Sequence, residues 1–241
     1  MNLIMQIKDA LQNSISVPPH KAAAFFKTGA GHYAEGDEFI GVIVPNLRKI
    51  AKKFMLLTLD DLQVLLASKI NEERLLALII LIKQYQNEDD KGKEKLYQFY
   101  MQNLKYVNNW NLVDASAHLI IGAHLWDKDR KSLLNLAKSE ILWERRIAIV
   151  STWYFIRQND LAWTFKIVLL LLRDTQDLIH KAAGWMLREA GKRDQAQLVT
   201  FLDKQLHLMP RTMLRYAIEK FPEDMRKSYL MKKISNAHHD F

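Results

Sequence analysis

Four residues have side chains suited to chemistry on a flat, cationic ligand: Trp110, Asp114, Arg146 and Trp185. Trp110 and Asp114 are four positions apart in NNWNLVDASA, so on a helix they share one face. Arg146 lies in LWERRIAIV and Trp185 in KAAGWMLRE, at intervals typical of a helical repeat. If these helices stack as a solenoid, we expect the four side chains to converge on one concave face.

An alkylated purine in DNA is a ligand of this kind. An indole gains about 2 kcal/mol from a desolvated cation over its ring. Cleavage of a glycosidic bond develops positive charge on the sugar, which Asp114 is placed to stabilise while it orients the attacking water. Arg146 would bind a neighbouring phosphate and help to keep Asp114 ionised. Because 3-methyladenine and 7-methylguanine are cationic in DNA and already good leaving groups, one carboxylate without a general acid would suffice for cleavage.

Each residue also has a structural interpretation. A tryptophan on a helical stripe is often core, and Asp114 fits a buried cap or a partner of a backbone group. Arg145 and Arg146 are able to form exposed ion pairs with Glu144 or Glu140, worth under about 1 kcal/mol. Three further tryptophans fall on or near apolar faces and are assigned to packing: Trp143, Trp153 and Trp163.

Other chemistries find no support in the sequence. There are no cysteines, and the histidines form no HExxH pair, so no metal site is predicted. GxSxG is absent, which excludes a hydrolase nucleophile elbow. The segment 25–42 holds glycines but no phosphate-binding loop motif; we interpret it as a connector whose aromatics and Lys27 are able to touch a ligand. No cofactor is expected.

Helical periodicity dominates the chain, and glycine (8) and proline (5) are scarce. A faint repeat links EERLLALIILIKQY, ERRIAIVSTWYFIR, HKAAGWMLREAGKR and RTMLRYAIEKF, and it aligns the basic residues Arg74, Arg145, Lys181 and Arg215. Its length of roughly 35 residues is typical of HEAT-like helix pairs. The sequence therefore predicts an all-α fold, a curved α-solenoid of HEAT-like repeats, as one domain over residues 1–241.

The net charge of +8 and a pI of about 9.5 favour a partner rich in phosphate, since neutralised phosphates release counterions. The N-terminal residues are too polar for a signal peptide, and the apolar run 165–173 is too short to cross a bilayer. We expect a monomeric, cytoplasmic protein without membrane contact.

The sequence resembles the HEAT-like-repeat alkylpurine DNA glycosylases of the AlkD type. The resemblance runs from about Phe25 to Phe221, through FIGVIVPNLRKIAKKF, NNWNLVDASA, LWERRIAIVSTWYFI and KAAGWMLREAGK. It implies a catalytic cleft of Trp110, Asp114 and Trp185 with Arg146 beside it on the DNA backbone. Asn111 stands where relatives often have Asp, and Phe25 where some have Tyr, which removes a hydroxyl.

The resemblance implies a DNA repair enzyme that excises 3- and 7-alkylpurines from duplex DNA by hydrolysis, without metal or cofactor and without a closed base-flipping pocket. The alternatives are a non-catalytic repeat protein that binds DNA structures or a protein partner through its basic concave face, and a protein-only scaffold. Expected DNA contacts are Phe25, Lys27, Arg145, Lys181, Arg188, Arg211 and Arg215.

Overall fold

The computed structural model describes residues 3–237, and within them the all-α prediction is confirmed. No strand forms there; a single β-bridge joins Glu38 to Ile70. The chain divides into two compact units, Met1–Ser116 and Ala117–Phe241. That the whole chain forms one domain, and one curved solenoid, stays a prediction. Among the helices of the described part of the chain, none has the length and apolar character needed to cross a membrane.

The first unit begins with four short helices, which are followed by the long, central helix α5. Its helices are α1 (Leu3–Gln12), α2 (Pro19–Phe26), α3 (Val44–Lys53), α4 (Leu59–Leu66), α5 (Asn71–Asn87), α6 (Asp90–Gln102) and α7 (Trp110–Ala117), with a 3₁₀ turn at Leu104–Tyr106. Helix α5 packs against α3, α4 and α6, and most of its residues are buried. A capping box between Thr58 and Asp61 fixes the start of α4.

The second unit continues from α7 into a π-helical segment, His118–Gly122. Its α-helices are α8 (Lys131–Ala137), α9 (Leu142–Arg157), α10 (Ala162–Leu171), α11 (Asp177–Arg193), α12 (Gln195–Gln205), α13 (Arg211–Ala217) and α14 (Glu223–Ala237). Helix α9 packs against the π segment, α8, α10 and α11, and α11 packs in turn against α12 and α13. The middle of α9, residues 147–150, is apolar on every side, and the helix is therefore buried among its neighbours there.

The faint sequence repeat has a physical counterpart at the starts of the long helices. Arg74 and Arg145 are each the fourth residue of their helix. Arg74 donates to the carbonyl oxygens six and five residues earlier, at 2.9 and 3.2 Å, and Arg145 does the same at 2.9 and 3.0 Å. On α11 the fourth residue is His180, whose ring nitrogen lies 2.5 Å from the carbonyl six residues earlier. The structure thus aligns His180, rather than Lys181, with the two arginines.

Two glycines in the second unit allow helices to approach closely. A Cβ added to Gly184 on α11 would lie 2.5 Å from the carbonyl oxygen of Met213 and 2.5 Å from Cβ of Tyr216. A Cβ added to Gly122 would collide in the same way with the carbonyl of Ser151, and would lie 2.8 Å from Cβ of a tyrosine three residues further on. The same close approach therefore occurs twice, between a glycine and the facing backbone of a neighbouring helix.

Gly184→Ala is expected to destabilise the protein. The methyl group must push against the backbone of α13, and overpacking of this kind costs about 1–3 kcal/mol, which exceeds the helix-propensity gain of about 1 kcal/mol. Urea unfolding should show a lower midpoint. The control is Gly29→Ala, because a Cβ there meets only the His32 ring at 3.4 Å. A Gly184→Ala protein as stable as the wild type would show that α11 and α13 are free to separate.

Candidate functional site

Trp110 and Asp114 lie one turn apart on α7, on the same face, as the sequence predicted for a helix. Trp110 is the first residue of α7, and its backbone N–H donates to Oδ1 of Asn109 at 2.7 Å. Both side chains are partly exposed, so neither is sealed in the interior. Helix α7 thus presents an indole and a carboxylate together at the surface of the first unit.

An aromatic cluster surrounds the indole of Trp110. Phe26 stacks on it, with ring centroids 5.0 Å apart and planes at 20°, and Phe39 stacks on Phe26 at 4.4 Å. Phe25 meets the indole edge-on at 5.8 Å and is 67% exposed. Trp110 Nε1–H donates to the hydroxyl of Tyr33 at 3.1 Å. The segment 25–42, which the sequence predicts to be a connector, therefore supplies most of the surroundings of Trp110.

A buried carboxylate, Asp37, connects this segment to α5 and to the start of α7. Arg74 Nη2 donates to Asp37 Oδ1 at 2.6 Å, and both side chains are almost fully buried. Asn71 Nδ2 and Asn109 Nδ2 donate to the other carboxylate oxygen at 3.1 and 2.9 Å. Asn111 is part of the same network, since its Nδ2 donates to Oδ1 of Asn71 at 2.6 Å. No sequence motif marks Asp37, because its partners are remote along the chain.

A second carboxylate fixes the end of the segment. Glu72, buried at the start of α5, accepts hydrogen bonds from the backbone N–H groups of Ile40, Gly41 and Val42 at 2.8–3.3 Å. Gly41 has a φ of +90°, and a Cβ there would collide with the carbonyl of Val17. Only glycine fits at this position.

In the second unit, Trp185 on α11 is partly exposed and belongs to its own aromatic group. Trp153 on α9 meets it edge-on, with centroids 5.0 Å apart. Trp153 also contacts the ring of His118 at 4.5 Å and the guanidinium of Arg157 at 5.2 Å. The assignment of Trp153 to packing is therefore too coarse: the side chain does pack, but against the tryptophan of the candidate site.

The other tryptophans assigned to packing, Trp143 and Trp163, are also only partly buried. The ring of Trp163 is approached by Lys166 at 4.4 Å and by Arg130 at 5.8 Å. A sequence stripe of apolar residues did not separate such half-exposed rings from core rings, because the tryptophan side chain is large enough to belong to both.

Arg146 on α9 is buried, with 5% of its surface exposed. Its Nη1 donates to the carbonyl oxygen of Leu178 at the start of α11, at 2.5 Å. Arg145 beside it donates through Nε to Asp174 at 2.6 Å, and the Asp174 side chain is itself buried. Both guanidinium groups therefore contribute to the packing between α9 and the segment that leads into α11.

The remaining predicted DNA contacts differ in whether the cation is exposed or already paired with a carboxylate. Lys27, Arg211 and Arg215 are exposed, and Lys27 has a left-handed backbone (φ 55°) after the end of α2. Lys181 pairs with Asp177 at 2.7 Å, and its hydrogen bond lowers the pKa of that carboxyl against the opposing effect of burial.

Arg188 pairs with Glu189 at 3.3 Å and with Glu219. Burial opposes ionisation of Glu219, but the hydrogen bonds from Arg188 and Lys220 outweigh it and lower the pKa of that carboxyl. Both Lys181 and Arg188 are thus partnered by carboxylates in the free protein, and a phosphate would compete with those partners.

No group of three or more His, Asp or Glu side chains suited to a metal ion occurs among the described side chains, those of residues 3–232.

A family model matches this chain, and a solved structure shares its fold. The family model described as "DNA alkylation repair enzyme" matches residues 12–221, most of the chain. A solved structure described as a predicted DNA alkylation repair enzyme from Enterococcus faecalis has a TM-score of 0.65 at 15% identity, covering 85% of this chain and 95% of its own. At that identity the likeness shows the shared helical fold, and no curated protein matches the chain. The match over residues 12–221 shows that the chain belongs to the family of DNA alkylation repair enzymes.

Proposed function

We propose that this protein is a DNA glycosylase that hydrolyses the N-glycosidic bond of cationic alkylated purines, such as 3-methyladenine and 7-methylguanine, in duplex DNA. The observation that carries the proposal is the pair on α7, in a member of the DNA alkylation repair family. An indole and a carboxylate, both partly exposed, lie one helical turn apart there. This pair supplies the two interactions that a positively charged nucleotide needs.

The chemistry follows from the charge of the substrate. The alkylated base departs as a neutral purine, while positive charge develops on the deoxyribose in an oxocarbenium-like transition state. The carboxylate of Asp114 stabilises that charge and orients the water that attacks the sugar. The indole of Trp110 holds the cationic nucleotide before cleavage, by cation–π attraction. Because the leaving group needs no protonation, the reaction requires no second carboxylate as general acid.

Because Trp110 and Asp114 are partly exposed, they favour contact with a nucleotide that stays at the protein surface rather than in a closed pocket. Glycosylases usually extrude the target base into a closed pocket. Trp110 and Asp114 instead lie on the surface of α7, with the exposed ring of Phe25 next to the indole. We therefore propose that the enzyme contacts the lesion without enclosing its base.

In the second unit we assign substrate contact to Trp185, with Trp153 holding its ring edge-on. Arg146 is assigned to a neighbouring phosphate, which it reaches only through a rearrangement that exposes its buried guanidinium. That Trp185 and Arg146 act on the same nucleotide as the pair on α7 stays a prediction from the sequence.

Binding of the DNA backbone rests on the net charge of +8 and on the exposed cations among the predicted contacts. Lys27, Arg211 and Arg215 are exposed, and each would neutralise a phosphate without first breaking a buried interaction. Arg145, Lys181 and Arg188 have carboxylate partners already. We therefore expect the first group to contribute more to affinity for DNA.

The main alternative is a non-catalytic protein that recognises DNA through the same basic residues. The exposed cations Lys27, Arg211 and Arg215 would serve that function as well as they would serve an enzyme. The two functions differ in what they require of Asp114, which a DNA-binding protein does not need.

Asp114→Asn is expected to retain DNA binding and to lose release of 7-methylguanine from methylated DNA by about 100-fold or more, because a neutral amide does not stabilise the developing cation. Release is measured by chromatography of the freed base, and binding by fluorescence anisotropy. Asp60→Asn, an exposed carboxylate on α4, is the matched control and should leave both unchanged. Full activity of Asp114→Asn would remove this carboxylate from the mechanism.

Trp110→Ala is expected to weaken the enzyme's selectivity for alkylated DNA by about 30-fold, the equivalent of the roughly 2 kcal/mol that a desolvated cation gains over an indole. The quantity to compare is the single-turnover rate divided by the half-saturating DNA concentration. Trp110→Phe keeps a ring and should recover part of the loss. If alanine and phenylalanine behave like the wild type, the indole serves packing alone.

Lys27→Gln and Arg215→Gln are each expected to make the dependence of DNA affinity on salt shallower. The slope of log affinity against log salt should fall in magnitude by about 0.9 for each phosphate that is no longer neutralised. The slope is obtained from anisotropy titrations over a series of salt concentrations. Lys91→Gln, an exposed lysine near the start of α6, is the control and should leave the slope unchanged. Equal slopes for all variants would place the DNA on another surface.

A further inference from the structure

We propose that the glycine-rich segment, residues 28–41, holds Trp110 in its working orientation, and that Tyr33 is its positioning residue. The inference rests on the proposed function only where it concerns base release; the geometric part stands by itself. A segment that looks like a connector in the sequence would then be a support for the indole.

The contact between Tyr33 and Trp110 is specific. The indole has one hydrogen-bonding group, Nε1–H, and it donates to the hydroxyl of Tyr33 at 3.1 Å. The two residues are 77 positions apart in the chain, so the contact is tertiary. Because an indole rotates about two side-chain bonds, a stacking partner and a hydrogen bond at its edge together select one orientation.

The stacking partner stands at the other end of the same piece of chain. Phe26 is the last residue of α2, two positions before the segment begins, and it stacks on Trp110 at 5.0 Å. Phe39, within the segment, stacks in turn on Phe26 at 4.4 Å, with planes only 14° apart. Rings from both ends of the segment therefore form a layered support, and Tyr33 in its middle fixes the rotation of the indole.

The segment itself is fixed at three places, so it is able to act as a support. Asp37 is held by Arg74 at 2.6 Å, and Glu38 exchanges backbone hydrogen bonds with Lys69 and Asn71 at 3.0 and 2.9 Å. Glu72 binds the N–H groups of residues 40–42. These interactions all lead to α5, the most buried helix of the first unit, or to the residues directly before it.

Asn109 couples the segment to the backbone of Trp110 as well. Its Nδ2 donates to Asp37 at 2.9 Å, while its Oδ1 accepts the N–H of Trp110 at 2.7 Å. Asn109 is fully buried, so water does not compete for these bonds. The same segment therefore positions both the backbone of Trp110, through Asn109, and its side chain, through Tyr33.

The test is Tyr33→Phe, which removes the hydroxyl and keeps the ring. The indole N–H signals are recorded in ¹H–¹⁵N spectra of the wild-type protein, and the signal of Trp110 is assigned by its loss in Trp110→Phe. In Tyr33→Phe we expect this signal to shift and its hydrogen exchange to accelerate, with the other indole signals unmoved. Tyr106→Phe, the same change on a tyrosine elsewhere in the first unit, is the control.

Base release gives the second readout. Tyr33→Phe should reduce the single-turnover rate by about 3- to 10-fold, the effect of one hydrogen bond, and change affinity for unmodified DNA little. In the Trp110→Phe background the same substitution should have no further effect, because Tyr33 acts through Trp110.

The outcomes separate the two proposals. An unmoved Trp110 signal in Tyr33→Phe would overturn the positioning role, and so would a shifted signal with an unchanged rate of base release. A further loss in the Trp110→Phe background would also overturn it, because Tyr33 would then act on its own. A wild-type protein that releases no base would refute the proposed glycosylase and the catalytic part of this inference, while the NMR comparison would still decide whether Tyr33 holds the indole.

Discussion

The buried ion pair between Asp37 and Arg74 is the interaction on which the candidate chemistry depends most. It joins three pieces of the first unit that are far apart in sequence: the glycine-rich segment, the start of α5 and, through Asn109, the start of α7. Burial of two charges is tolerated when they pair with each other and gain further hydrogen bonds, and loss of one partner typically costs about 3–5 kcal/mol. Asp37 meets that condition, with Arg74 on one oxygen and two asparagine amides on the other.

Because that network holds the backbone N–H of Trp110 and the side chains of its neighbours Asn109 and Asn111, the indole need not be buried to be ordered. Helix α7 therefore presents the partly exposed ring of Trp110 next to the partly exposed carboxylate of Asp114. The second unit follows a similar principle with other groups, since Trp185 is partly exposed and Trp153 supports it edge-on. A partly exposed aromatic side chain binds a ligand well only if neighbouring residues already hold its ring in one orientation.

Cations in this protein have two kinds of role that the net charge does not distinguish. Arg74, Arg145 and Arg146 are tied to backbone carbonyls at the starts of long helices, and two of them to buried aspartates. Lys27, Arg211 and Arg215 are exposed. A guanidinium suits the first role because it donates several hydrogen bonds in one plane, to a carbonyl and a carboxylate at once. Of these six cations, only the exposed Lys27, Arg211 and Arg215 can bind phosphate without the loss of an interaction that stabilises the fold.

The sequence by itself determined the helical class, because apolar periodicity and the scarcity of glycine and proline are local properties. It also placed Trp110 and Asp114 on one helical face, since a spacing of four has that consequence on any helix. It aligned Lys181 with Arg145, whereas the structure places His180 in that position, because only the folded chain shows which side chain contacts the backbone carbonyls that precede each helix.

Tertiary structure alone decided what surrounds each candidate residue. The partners of Trp110 are Phe26 and Tyr33, and the bond to Tyr33 spans 77 residues, a separation at which sequence pattern carries no signal. The burial of Arg146 and the edge-on packing of Trp153 against Trp185 were decided in the same way, by packing between helices. Periodicity tells which side of a helix is apolar, but the neighbour against which that side packs is fixed only when the chain folds.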